Sequence, residues 1–133
     1  GRYSAPVEFE TPFVRFGLTL TPLGAIRSEL AAAYREPVNA NEAFLDADAL
    51  PESLVVRTRR TGDRFWPLGA PGAKKLKDIL IDKKVPREHR DIPLVCAGNE
   101  VYFAAGLALS ERAKVTPGTK NILHITFTGG KGS

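Results

Sequence analysis

Two apolar runs flanking Gly98-Asn99 constrain the fold of this chain more than any other feature. The first run spans residues 93–97, and the second spans residues 100–104. Gly and Asn tolerate the positive φ angles that two-residue hairpin turns require. The pattern therefore predicts two antiparallel strands joined by a tight turn.

Four other segments have the pattern of strands. Apolar residues alternate with other residues in segments 14–21 and 121–127, which is typical of half-buried strands. Segment 54–60 is rich in β-branched residues, and a shorter strand is expected at 43–45. These segments and the hairpin predict a mainly antiparallel sheet.

Two segments have the composition of helices. Segment 23–34 is rich in helix formers, with Leu23, Ile26 and Leu30 at helical spacing. Segment 73–84 places Leu76, Ile79 and Leu80 on one face. Prolines at positions 37 and 86 follow the two segments and stop each helix.

The order of these elements predicts an α+β fold, a mixed, mainly antiparallel sheet with a few helices packed on one face. The chain of 133 residues is long enough for one compact domain. It contains no apolar stretch near the roughly 20 residues that a membrane-spanning helix needs, so we expect no membrane association.

Residues that could support catalysis or metal binding lack a suitable context. Cys96 is the single cysteine and lies in an apolar run, which favours a buried thiol and fits a reducing compartment. His89 and His124 are far apart in sequence and have no neighbouring cysteine, so a zinc site is not expected. Neither a phosphate-binding glycine loop nor a nucleophile elbow occurs.

Positive charge is concentrated in the middle third of the chain. Residues 1–54 contain four basic and eight acidic residues, whereas residues 55–92 contain eleven basic and five acidic ones. Within the expected helix, Lys74, Lys77 and Lys84 fall on one flank, and Lys74 and Lys75 in its first turn would oppose the helix dipole. This distribution favours contact with a polyanion. The alternative is a solvated helix face in which Lys74 pairs with Asp78.

Four ordered pieces of this basic region resemble the C-terminal domain of tRNA(Ile)-lysidine synthetases. They are the segment Val56-Arg57-Thr58-Arg59-Arg60-Thr61-Gly62-Asp63-Arg64-Phe65, then Pro67-Leu68-Gly69, then Lys74-Lys75-Leu76-Lys77-Asp78, and then Lys84-Val85-Pro86-Arg87. Further similarity continues downstream, so the resemblance covers roughly residues 44–127. The resemblance implies a tRNA-contacting domain at 44–127, and the residue pattern outside it predicts an N-terminal strand and helix segment at 1–43 and a disordered tail at 128–133.

The resemblance also implies a function. Enzymes of this family use ATP to adenylate the wobble cytidine of an isoleucine tRNA, and lysine then displaces AMP. Their adenylation loop, Ser-Gly-Gly-x-Asp-Ser, belongs to an N-terminal domain and does not occur in this sequence. We therefore expect no catalysis and no cofactor in this chain, with ATP and Mg²⁺ bound by the parent enzyme's N-terminal domain in the cytoplasm. The expected partners are tRNA(Ile) and that catalytic domain.

Eight basic residues are the expected RNA contacts, because Arg binds phosphate in a bidentate manner and Lys supplies a point charge. Trp66 is a candidate for base stacking, although loop aromatics more often anchor a loop. The competing hypothesis is a protein-interaction domain whose basic face docks on an acidic domain or forms a homodimer, and a third is an independent enzyme. The candidate contacts are Arg57, Arg59, Arg60, Arg64, Lys74, Lys75, Lys77 and Arg87.

Overall fold

Two sheets form the framework of the protein in a computed structural model that describes residues 7–129. The four-stranded sheet is antiparallel, and the seven-stranded sheet is antiparallel except for one parallel pairing, of Arg64–Phe65 with Glu100–Val101. The first sheet has the strand order β1-β5-β8-β9-β6-β7, and β10 also pairs with β9. The second sheet has the order β2-β3-β11-β4. The strands are β1 (Glu10–Pro12), β2 (Gly17–Thr21), β3 (Gly24–Ala31), β4 (Glu42–Asp46), β5 (Val55–Arg57), β6 (Arg64–Phe65), β7 (Lys74–Lys75), β8 (Leu94–Ala97), β9 (Glu100–Ala104), β10 (Ala108–Leu109) and β11 (Ile122–Gly129).

One α-helix, α1 (Leu76–Asp82), packs on the first sheet in this part of the chain. The expectation of a few helices on one face is therefore wrong for residues 7–129. Three short 3-10 turns supplement the helix, at Ala47–Ala49, Arg87–His89 and Glu111–Ala113. No helix of the described residues is long and apolar enough to cross a membrane.

The hairpin predicted around Gly98-Asn99 is confirmed. Strands β8 and β9 pair antiparallel on either side of this turn, and Gly98 has a φ of 57°. Both strands are almost fully buried, since they lie in the middle of the first sheet with apolar groups on both faces. The other expected strands are present as β2, β4, β5 and β11, with shifted ends.

The helix expected at 23–34 is instead β3, which pairs with β2 and β11. Ile26 and Ser28 are buried while Arg27 and Glu29 are exposed, which is the alternation of a strand. The helical spacing of the leucine and isoleucine residues was coincidental, and pairing on both sides overrides the helix propensity of this segment. Residues 7–43 thus contribute strands to both sheets.

Apolar side chains fill two layers of core. Ile26, Leu45 and Leu123 from the second sheet pack with Val56 and Phe103 from the first. On the opposite face of the first sheet, the second cluster lies beneath α1 and contains Phe65, Leu76, Ile79, Leu80, Leu94, Cys96, Val101 and Ala104.

Cys96 belongs to this second cluster and is fully buried, as the sequence predicts. Burial raises the pKa of its thiol to about 11.

The final strand, β11, continues through Gly129. The tail expected at 128–133 therefore begins no earlier than residue 130, and residues 130–133 lie outside the described range.

Candidate nucleic-acid interface

The loop between β5 and β6 is organised by a buried ion pair. Arg57 and Asp63 are each about 1% exposed at the side chain, and two hydrogen bonds of 2.7 and 3.0 Å join them. Arg57 also donates to the carbonyl oxygens of Thr58 and Gly98, at 2.9 and 2.8 Å. The Asp63 carboxylate accepts a further bond from the backbone N–H of Arg60. Both charges are therefore fully paired inside the protein.

Burial of Arg57 follows from strand geometry. It lies opposite Leu94 in the pairing of β5 with β8, and Leu94 belongs to the cluster beneath α1. The hydrogen bond with Asp63 raises the pKa of the guanidinium, which stays charged. Arg57 does not reach solvent, so it is removed from the candidate RNA contacts.

Four exposed or half-exposed cations from different elements meet at one cleft of about 500 Å³. Arg59 and Arg60 come from the loop after β5, Lys75 from β7, and Lys77 from the first turn of α1. Glu8 and Asp91 also line the cleft. Asp63 is neutralised by Arg57, and Arg60 pairs with Glu10, so three unpaired cations face two carboxylates and the cleft keeps a net positive charge.

The cations of the cleft differ in their pairing. Arg60 forms an ion pair of 2.5 Å with Glu10 on β1. Among the residues that the structure describes, Arg59, Lys75 and Lys77 form no ion pair within 4.0 Å. These three charges are therefore exposed to solvent at the cleft. The expected pairing of Lys74 with Asp78 is likewise not observed within this part of the chain.

The structure corrects the helical position of the lysines. Lys74 and Lys75 form β7, and α1 begins only at Leu76, whose N–H donates to the carbonyl of Asp63 at 2.8 Å. Neither lysine lies in the first turn of α1, but Lys75 is its N-cap residue and Lys77 lies in that turn, so positive charge still opposes the helix dipole there. Lys84 follows the end of α1 and has a φ of 55°, so it does not share a helical flank with the other lysines.

Arg64 extends the positive surface beyond the cleft. It is exposed and lies directly opposite Lys75 in the pairing of β6 with β7, so the two side chains project from the same face. Like charges directly opposite each other destabilise a strand pair, so this arrangement is not explained by folding alone. Lys74 is exposed on the same edge strand, whereas Arg87 is exposed on a separate 3-10 turn and does not line the cleft.

Trp66 is held as a loop anchor. Its indole N–H donates to the carbonyl of Ala70 at 2.7 Å, and the guanidinium of Arg112 lies 5.1 Å from the ring centroid. One ring face is thus occupied by a cation. The contacts favour the anchoring interpretation over base stacking.

His124 has the cross-strand role that its position in an alternating strand predicts. Its ring stacks on Phe44 with the centroids 4.4 Å apart, and Nε2 lies 2.7 Å from the carboxylate of Glu42. No cluster of three or more His, Cys, Asp or Glu side chains that could hold a metal ion occurs within residues 7–129.

Sequence inspection missed Thr61, Glu8 and Asp91 as residues that line the cleft. A hydroxyl group can donate to a phosphate, and Thr61 is exposed within the loop that carries Arg59 and Arg60. Its position inside the Arg-Arg-Thr-Gly-Asp segment was the available signal. Glu8 and Asp91 are distant in sequence from this segment, and only the folded chain brings them to it.

Comparisons with known proteins identify relatives of this region. Residues 54–126 match the family model described as the TilS substrate C-terminal domain. The tRNA(Ile)-lysidine synthase of Symbiobacterium thermophilum is 48% identical over 87 residues, which are 65% of this chain and 18% of that protein. The tRNA(Ile)-lysidine synthase of Geobacter sulfurreducens is 38% identical over 93 residues, which are 69% of this chain and 20% of that protein.

A solved structure has the same fold. The structure titled "Crystal structure of TILS C-terminal domain" superimposes with a TM-score of 0.77 and 29% sequence identity, and the match covers 92% of this chain and 98% of that one. The chain spans about a fifth of the length of the curated relatives it matches.

Proposed function

Because the chain belongs to the family of TilS substrate C-terminal domains, we propose that it is the tRNA-contacting part of a tRNA(Ile)-lysidine synthase. In this proposal the cleft formed by Arg59, Arg60, Lys75 and Lys77 binds phosphates of tRNA(Ile). Ligation of lysine takes place in the cytoplasm at the N-terminal domain of the same polypeptide, which binds ATP and Mg²⁺. This chain contributes recognition and positioning of the substrate.

The observation that carries the proposal is the convergence of solvent-exposed cations from a loop, a strand and a helix on one cleft. Double-stranded RNA is recognised mainly through phosphates and ribose hydroxyls, since its major groove is too deep and narrow for side chains. A cleft that contains Arg and Lys side chains with a neighbouring threonine hydroxyl supplies those contacts.

Protection of a sheet edge is a competing explanation for part of this charge. Lysines on an edge strand hinder association with the edges of other sheets, and β7 is the end strand of the first sheet. This accounts for Lys74 and Lys75 without any RNA. It does not account for Arg59 and Lys77, which lie outside the edge strand. These two residues are therefore the most informative ones to replace.

The test measures binding of a tRNA(Ile) transcript to the 133-residue chain across a range of salt concentrations. Replacing both Arg59 and Lys77 by Ala should reduce the slope of log K against log salt by about two, because each phosphate contact contributes about one. The matched control replaces Arg27 and Lys120, one exposed arginine and one exposed lysine that do not line the cleft. It removes the same charge and should leave the slope close to that of the wild-type protein.

Two results would contradict the proposal. Equal slopes for the two double variants would show that net charge rather than the cleft determines binding. Absence of binding at low salt would favour the protein-interaction hypothesis, in which the basic face docks on an acidic domain. Thermal unfolding of each variant should match the wild type, since both target residues are exposed.

A further inference from the structure

The buried pair of Arg57 and Asp63 bonds to the backbone around the two arginines of the cleft. The guanidinium of Arg57 donates to the carbonyl of Thr58 at 2.9 Å, directly before Arg59. The Asp63 carboxylate accepts the N–H of Arg60 at 2.7 Å, and the N–H of Asp63 donates to the carbonyl of Arg60 at 3.2 Å. One pair of side chains therefore fixes the backbone on either side of Arg59.

The same aspartate bonds to the segment that carries the two lysines of the cleft. The backbone carbonyl of Asp63 accepts the N–H of Leu76 at 2.8 Å. Leu76 is buried and lies between Lys75 and Lys77, which both line the cleft. All four cations of the cleft therefore belong to backbone segments that are hydrogen-bonded to one member of the buried pair.

The pair also attaches these segments to the central hairpin. Arg57 donates to the carbonyl of Gly98 at 2.8 Å, and the N–H of Arg64 donates to the carbonyl of Asn99 at 2.8 Å. These two carbonyls belong to the turn between β8 and β9, whose strands are almost fully buried. A buried hairpin opens less often than an exposed loop, so it is a firm support for the cleft.

Stability alone does not explain why this position contains two charges. Removing one partner of a buried ion pair is costly, but replacing both partners by apolar side chains of similar volume is often neutral or stabilising. The pair also supplies geometry, because a planar guanidinium can bind both carboxylate oxygens and still donate to carbonyls. Arg57 uses its N–H groups in this way, for Asp63, Thr58 and Gly98.

We propose that Arg57 and Asp63 are positioning residues, which hold the cations of the cleft in the arrangement that binds phosphates. Neither member of the pair touches the nucleic acid, because both side chains are about 1% exposed. Binding by flexible side chains and loops costs free energy for their ordering, and a preorganised site avoids part of that cost. The inference rests on the proposed function of the cleft and adds a binding role for two residues that the ligand does not reach.

Two variants that keep the formal net charge of +4 test the positioning role. Arg57→Lys keeps the positive charge but loses the planar fork, so it cannot reproduce the bonds of the guanidinium. Arg57→Met combined with Asp63→Asn removes one charge of each sign and leaves no buried charge without a partner.

Binding of the tRNA(Ile) transcript to the 133-residue chain is measured across a range of salt concentrations, at a temperature at which circular dichroism shows each variant to be folded. Because the net charge is unchanged, a smaller slope of log K against log salt reports displaced cations rather than lost charge. Both variants should reduce the slope by about one, the contribution of one phosphate contact.

Leu123→Ala is the control for lost stability. Leu123 is fully buried on β11 in the second sheet, so its truncation leaves a cavity and lowers the thermal midpoint without altering the cleft. Its slope should equal that of the wild type. In amide hydrogen exchange, the N–H groups of Arg60 and Leu76, which both donate to Asp63, should exchange faster in Arg57→Lys than in Leu123→Ala.

Three results would overturn the inference. Wild-type slopes in both charge-neutral variants, with a reduced slope in the double variant of Arg59 and Lys77, would exclude positioning and leave the proposed function standing. An equal loss of slope in Leu123→Ala would assign the effect to general destabilisation. Absence of binding by the wild-type chain at low salt would overturn the proposed function and this inference together.

Discussion

The segment from β5 to α1 (residues 55–82) and the β2–β3 hairpin present opposite kinds of surface. The β5–α1 segment contains the buried pair of Arg57 and Asp63 and exposes cations beside it. The hairpin has close backbone packing inside and exposes leucines. The difference teaches that one chain can hold two surfaces of different chemistry on separate sheets, because the residues that form each surface belong to different strands.

The largest expected effect comes from breaking the ion pair beneath the loop. Asp63→Ala leaves Arg57 buried without a counterion, which should lower the free energy of unfolding by about 3–5 kcal/mol. Asp82→Ala, at the exposed end of α1, should change it by less than about 0.5 kcal/mol. Urea unfolding measures both values. If the two variants were equally stable, the loop would not depend on the buried pair.

Glycine substitutions compare the backbones of the two regions. In the hairpin, Gly24 has a φ of 145°, and a Cβ there would lie 2.5 Å from the carbonyl oxygen of Thr128. Gly24→Ala should therefore cost about 2–4 kcal/mol from strain and overpacking. In the loop, Gly69 has a φ of 79° with no atom within 4 Å of that position, so Gly69→Ala should cost only about 1 kcal/mol.

Thermal unfolding in a calorimeter measures this difference at one pH for both alanine variants. A larger loss for Gly69→Ala than for Gly24→Ala would show that the loop backbone, and not the hairpin, is the more tightly packed of the two.

The smallest expected effect concerns Glu42, the buried carboxylate of β4 in the second sheet. Glu42 accepts hydrogen bonds from Arg35, from the N–H of Val38 and from His124. Arg35 first, and then the backbone bond, lower the pKa of Glu42 from 4.5 to about 2. Because the folded pKa lies below the unfolded one, this stabilisation is present above pH 4.5 and is lost as pH falls towards 2.

The free energy of unfolding, measured from pH 5 to pH 2, should therefore fall less steeply in Glu42→Gln than in the wild-type chain. The control is Glu29→Gln, because Glu29 is an exposed carboxylate on β3, which pairs with β11. Identical profiles for the wild type and Glu42→Gln would exclude a contribution from this carboxylate.

The sequence by itself determined the features that depend on neighbouring residues. Turn chemistry at Gly98-Asn99 specified the central hairpin, and the apolar run around Cys96 specified its burial. The ordered motifs of the basic region were sufficient to indicate the family, because their spacing is set by one continuous stretch of chain.

Only the tertiary structure decided features that depend on contacts between distant residues. Segment 24–31 is a strand because β2 and β11 pair on its two sides, which its helical composition could not reveal. Arg57 and Arg59 have the same chemistry and lie two residues apart, yet the first is buried and the second lines the cleft. Arg57 is the last residue of β5 and is paired with Asp63 inside the protein, whereas Arg59 lies in the loop beyond that strand. This difference depends on which partners the fold brings to each side chain rather than on the residue type.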